Sequence, residues 1–106
     1  AVAIGLAAVA DLPGAAREGL GANATQDFMG GEPDDLPDAY AIANPTIGPT
    51  AVLVHGDADD TVPVDQSTRF ADVAEVIVVA GQSHMDVIDP SSRSWAATVD
   101  VLERLR

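Results

Sequence analysis

The chain has 106 residues, enough for one small domain or a piece of a larger one, and 47% of them are apolar while only 4% are aromatic, so a core has to be built from Ala, Val, Ile and Leu. Its formal net charge is −12 and all of its basic residues are Arg, a balance that repels nucleic acid and anionic membrane surfaces and sets both aside as partners. There is no Cys, which excludes disulfides, zinc–thiolate sites and cysteine nucleophiles, and no run approaches the roughly 18 apolar residues of a membrane-spanning helix.

Residues 1–9 form a continuous apolar run, as expected of a parallel strand covered on both faces. Ala8-Val9-Ala10 has the look of a signal-peptidase site, but the run is short and has no basic segment before it, so a buried strand is the preferred reading and the cytoplasm the expected compartment. The first residue is not Met, and the chain is expected to begin within a longer protein. Leu12 to Leu20 reads as a short helix stopped by Gly19 and Gly21. Asn23 to Met29 reads as a second, with Asn23 as N-cap, Gln26 as its capping-box partner and Gly30-Gly31 as terminator.

Residues 30–50 hold Pro33, Pro37, Pro45 and Pro49, with one short helix over Pro37 to Ala43, where Pro37 suits a first turn that needs no N–H. Residues 23–43 read equally well as a substrate-shaping cap or as a long crossover. Residues 51–55 (AVLVH) are a second buried strand, Gly56 to Pro63 an acidic loop, Val64 to Val73 a helix and residues 75–79 (EVIVV) a third strand. The last helix runs from Ser91 or Ser92 to Arg106. Its expected apolar face is Trp95, Val99 and Leu102 with Ala96 and Leu105, and Trp95 is expected to pack in the core. Helical crossovers between strands mean an α/β fold: about three parallel strands with crossover and flanking helices. One partial domain is expected over residues 1–106, divided into a strand and helix (1–20), the cap-like or crossover segment (21–50) and the two loops with the final helix (51–106).

Two loops follow predicted strands, where parallel α/β sheets place their ligand crevices. His55-Gly56-Asp57-Ala58-Asp59-Asp60-Thr61-Val62-Pro63 fits H-G-x-x-D-x-x-V-P, and Gly81-Gln82-Ser83-His84-Met85-Asp86 sets a histidine between the last strand and the last helix. A histidine is a suitable general base near neutral pH, and a buried carboxylate at its other ring nitrogen fixes the tautomer and stabilises the imidazolium. Neighbouring parallel strands lie about 4.8 Å apart, so side chains on their following loops can meet. An EF-hand calcium loop starting at Asp57 fails, because Val62 and Thr68 stand where Gly and Glu are needed. His84, Asp86 and Asp89 offer a single imidazole, too few for a convincing metal site. Asn23-Ala24-Thr25 is a formal glycosylation sequon of a kind that chance supplies often.

These two loops resemble the acid and histidine loops of the α/β-hydrolases, including the prolyl-oligopeptidase-like and small bacterial esterase or arylformamidase-like branches. The tail MDVIDPSSRSWAATVDVL resembles bacterial members, and the GGEPDDLPDAY segment fits more loosely. The resemblance covers essentially the whole chain and is strongest over 51–106. It implies that Asp59, and not its neighbour Asp60, is the catalytic acid and that His84 is the base. His55, at the end of its strand, reads as a structural residue that orients the loop rather than as a catalytic one. The resemblance also implies the C-terminal portion of a serine hydrolase cleaving small-molecule carboxylic esters or amides, with no metal or organic cofactor.

The order acid-then-histidine agrees with that fold. However, G-x-S-x-G is absent, and the five serines (Ser67, Ser83, Ser91, Ser92 and Ser94) do not lie on a strand-to-helix elbow. The nucleophile is therefore expected before Ala1, and the chain alone is expected to be inactive. The alternative is a non-catalytic α/β module that binds a partner or self-associates through an exposed sheet edge.

Overall fold

In the computed structural model, which describes residues 2–106, strands β1 (Ala3–Leu6), β2 (Ala51–Gly56) and β3 (Glu75–Val79) form one sheet in the order β1-β2-β3. Both pairings are parallel, with Ala3 opposite Ala51 and Leu6 opposite Val54 on one side of β2, and Val52 opposite Glu75 and Gly56 opposite Val79 on the other. The α/β class expected from the alternation of patterns is therefore present as a three-stranded, all-parallel open sheet with helices packed against it.

The chain divides into two compact units, one of residues 1–8 with 47–106 and one of residues 9–46. In the first, α4 (Asp65–Thr68) packs on β2 and β3, while α5 (Arg93–Arg104) packs on β2, β3 and a 3₁₀ turn over His84–Ile88. In the second, α1 (Leu12–Arg17) packs on α2 (Leu20–Met29) and α3 (Pro37–Ala43).

The first unit's core is its central strand. Every residue of β2 is buried, as befits an apolar strand with neighbours on both edges and helices over it. β1 differs from the expectation of a strand covered on both faces, being only part-buried, and β3 leaves Glu75 and Val78 exposed. Each has a hydrogen-bonded neighbour on one side only, so an apolar sequence alone does not cover it. Gly5 in β1 has a packing reason, since a Cβ there would lie 2.8 Å from the Leu53 side chain.

The second unit keeps the expected caps in part. Asp11 accepts the Gly14 N–H at the start of α1, Pro13 and Pro37 occupy first turns, and the buried Tyr40 donates its hydroxyl hydrogen to the Gly31 carbonyl at 2.8 Å. The capping box at Asn23 does not form. Gly21, Ala22 and Asn23 are successive left-handed residues, Asn23 with φ 67°, whereas an N-cap needs an extended backbone. The Gln26 amide instead donates to the Ala16 carbonyl and faces Glu32.

Two further helices depart from their patterns. The helix expected over Val64 to Val73 is α-helical only over Asp65–Thr68, because Phe70, Ala71 and Val73 donate to carbonyls three residues back, which tightens the chain into turns. α5 starts as anticipated, with Ser92 accepting the Trp95 N–H, but its packed face is Ser94 and Val101. Trp95, Val99, Leu102 and Leu105 are exposed, so the residues expected to face the core lie outward. Ser94 instead faces inward, where its N–H and hydroxyl both donate to the Gln82 side-chain oxygen. Among the described residues, no helix is long and apolar enough to cross a membrane.

Candidate functional site

The site begins where β2 and β3 end side by side, at the register pair Gly56 and Val79. This register brings the loops after the two strands together, and three contacts lock them. Asp57 N–H donates to the Val79 carbonyl at 3.2 Å, Ala58 N–H donates to the Gln82 carbonyl at 3.0 Å, and the Asp57 carboxylate accepts the Gly81 N–H at 2.7 Å. The approach is closest at Gly56, where a Cβ would stand 2.1 Å from the Gln82 carbonyl oxygen. Gly81 supplies the left-handed residue, φ 73°, that turns the chain out of β3.

Within the acid loop, Asp59 folds its side chain back on the main chain. Its Oδ1 accepts the N–H groups of Thr61 at 2.9 Å and Val62 at 2.8 Å, the turn that a short carboxylate makes with residues two and three ahead. Val62 is buried and anchors the far side of the loop before Pro63. This leaves Oδ2 directed at the histidine loop, where His84 Nδ1 lies 2.8 Å away. The Asp59 side chain is fully buried and that of His84 is 28% exposed. Asp60 is exposed and, among the described residues, reaches only the Thr61 hydroxyl, at 3.5 Å, so the two neighbouring aspartates are placed differently.

His84 opens the 3₁₀ turn. Its position is fixed by Asp86, whose carboxylate accepts the N–H of Ser83 at 2.7 Å and the hydroxyl of Ser83 at 3.1 Å. A carboxylate opposite Nδ1 requires that nitrogen to carry the proton, which leaves the Nε2 lone pair as the basic position. Among the described residues no side chain hydrogen-bonds to Nε2.

Burial alone pushes the Asp59 carboxyl upward. The hydrogen bonds from His84, Val62 and Thr61, together with the charge on His84, outweigh it and hold the group below the ordinary aspartate range. Asp59 is thus ionised at neutral pH, out of water and aimed at an imidazole.

Each serine is engaged elsewhere. Ser67 is buried against His55, Ser83 binds Asp86, Ser91 binds Asp89, Ser92 caps α5 and Ser94 binds Gln82. Asp86 and Asp89 turn to neighbouring backbone N–H groups, and hydrogen bonds from the Ser91 N–H and hydroxyl hold the Asp89 carboxyl low. Among the described residues, no group of three or more His, Cys, Asp or Glu is placed to hold a metal ion.

Sequence reasoning singled out Asp59 and His84, and the structure brings them into contact. It did not find Asp57, Gln82 or Ser67 as parts of the scaffold. Gly56 directly after a strand was the one local sign that another backbone comes close. Compared with known proteins, the chain matches no family model and no curated protein.

Proposed function

We propose that this chain carries the acid and the base of a serine hydrolase of the α/β-hydrolase type, acting on small-molecule carboxylic esters or amides. The observation that carries the reading is the 2.8 Å contact between His84 Nδ1 and a buried, charged Asp59, with Nε2 left to act. In this reading His84 Nε2 takes the proton of a serine hydroxyl as its oxygen attacks the substrate carbonyl. Asp59 stabilises the imidazolium that results, and His84 then returns the proton to the leaving alcohol or amine. Water resolves the acyl-serine by the same exchange of one proton.

The five serines of residues 1–106 are held in other hydrogen bonds, so the nucleophile in this proposal comes from sequence preceding Ala1, and the chain alone is inactive. The likeness of the C-terminal tail to small bacterial esterases and arylformamidases favours that activity over peptide cleavage, and no cofactor enters the chemistry.

The test is to express the longer reading frame that contains the chain and to follow p-nitrophenyl acetate hydrolysis and fluorophosphonate labelling. The frame should encode G-x-S-x-G between a strand and a helix, and turnover should vanish in His84→Ala. A frame with no such motif, or turnover that survives His84→Ala, overturns the proposal.

A second reading, a non-catalytic module that self-associates, is favoured by the outward Trp95, Val99 and Leu102 of α5 and by sheet edges that are paired on one side only. Concentration-dependent sedimentation of the chain, without any hydrolysis by the longer product, would decide for it.

A further inference from the structure

Behind the Asp59–His84 pair lies a second histidine, wholly enclosed. His55 has no exposed side-chain surface, its Nε2 is 2.8 Å from the Val62 carbonyl oxygen and its Nδ1 is 2.7 Å from the hydroxyl of Ser67, itself completely buried. The same Nε2 stands 3.2 Å from Asp59 Oδ2, the oxygen that also meets His84. The partners assign the proton. Nε2 faces a carbonyl and a carboxylate, both acceptors only, so it carries the hydrogen; Nδ1 then accepts from the Ser67 hydroxyl.

We infer that Ser67 and His55 are positioning residues for the acid: Ser67 fixes the ring and tautomer of His55, and His55 fixes the Asp59 carboxylate in line with His84. The effect runs through Val62. His55 holds the Val62 carbonyl, and the N–H of the same residue is one of the two that grip Asp59 Oδ1 at 2.8 Å. The Nε2–H is given to the Val62 carbonyl, and Nε2 stands 3.2 Å from Asp59 Oδ2 without a hydrogen bond to it, so the ring packs against the carboxylate rather than gripping it. Since β2 delivers His55 from a fully buried strand and α4 delivers Ser67, the clamp is anchored to the rigid part of the fold rather than to the loop it serves.

The inference rests on reading Asp59 and His84 as the acid–base pair, but its test reads a hydrogen bond and not turnover, so the two fail separately. The experiment is NMR on the ¹⁵N-labelled chain, measuring the solvent exchange rate of the His84 Nδ1 proton and the ¹⁵N shifts of both imidazoles. In the wild type His55 should show the pure Nε2–H tautomer. His55→Leu should speed exchange of the His84 proton roughly tenfold or more, the equivalent of one weakened hydrogen bond to a charged group. His55→Gln keeps a donor at the Nε2 position and should restore the rate to within about threefold.

If His55→Leu does not fold, Ser67→Ala decides. It should retain the dispersed amide spectrum, mix the His55 tautomers and raise the His84 exchange rate several-fold. An unchanged His84 rate in folded Ser67→Ala, or His55→Gln behaving like His55→Leu, overturns the inference. Absence of hydrolysis by the longer protein would instead count against the hydrolase reading and leave the positioning result standing.

Discussion

Gly56→Ala is the most demanding test of how the two loops are held together. The added Cβ would sit 2.1 Å from the Gln82 carbonyl oxygen, 2.6 Å from its carbon and 2.9 Å from its Cβ. Real Cβ atoms essentially never come within 3.0 Å of such neighbours, so the histidine loop has to retreat by about 1 Å. The obstacle is main chain, which cannot swing away as a side-chain tip can. That retreat stretches the Ala58–Gln82 bond from 3.0 Å and the Asp57–Gly81 bond from 2.7 Å toward breaking. Forced overpacking typically costs 1–3 kcal/mol, and a weakened hydrogen bond about 1 kcal/mol more, which gives a loss of roughly 2–4 kcal/mol.

Because His84 lies two residues beyond Gln82, the same displacement should lengthen its 2.8 Å contact with Asp59. Urea denaturation monitored by Trp95 fluorescence gives the stability, and the His84 imidazole ¹⁵N shifts give the contact. Gly48→Ala is the control, since nothing lies within 4 Å of the Cβ it would add, and its effect should stay within about 0.5 kcal/mol. A Gly56→Ala variant as stable as the Gly48→Ala control, with unshifted His84 resonances, would refute the reasoning.

Asp59→Asn presents an amide group to His84 Nδ1 in place of an acceptor, so the ring should switch to the Nε2–H tautomer, visible by ¹⁵N NMR. In the proposed hydrolase kcat should fall by about 10⁴-fold. The low-lying Asp59 carboxyl makes stability pH-dependent: a depressed folded value contributes stability that is full above the unfolded aspartate value near 3.9 and is lost as pH falls through the folded one. Acid unfolding followed by circular dichroism should therefore lose part of its steepness below about pH 4 in Asp59→Asn, and an unchanged profile would contradict the assignment. On α5, Val101→Ala removes two buried methyl groups and should cost about 2 kcal/mol in urea denaturation. Trp95→Ser with Leu102→Ser should change stability far less, because those side chains face solvent, while shifting any self-association measured by sedimentation toward monomer.

The contrast on α5 shows where sequence patterning stops being informative. Trp95, Val99 and Leu102 recur at helical spacing and were expected to face the core, but periodicity identifies an apolar stripe without identifying what it meets. The face that packs includes Ser94, whose two donors are satisfied by Gln82, a residue on a loop twelve positions earlier. No local rule connects those two. β3 and Pro37–Ala43, in contrast, have the boundaries their residues predict, because a short β-branched run and a proline-started turn are set by backbone preferences that each residue carries alone.

The same division runs through the site. Asp59 is singled out over Asp60 by the resemblance of its D-x-x-V-P spacing, and the structure gives that spacing a local reason: the Thr61 and Val62 N–H groups hold Oδ1, followed by a buried Val62 and Pro63. With Oδ1 occupied in this way, Oδ2 is turned toward the adjacent strand's loop, where the parallel register of Gly56 with Val79 brings His84. The partners that sequence reasoning did not name are those set by tertiary structure: Asp57 with Gly81, Ala58 with Gln82, and Ser67 with His55. All of these contacts converge on holding the acid loop still. Turning a buried carboxylate costs little when one hydrogen bond holds it and much more when both oxygens are engaged from opposite sides. In the proposed hydrolase, a carboxylate held this way would fix the direction of His84 Nε2 before any nucleophile is in place.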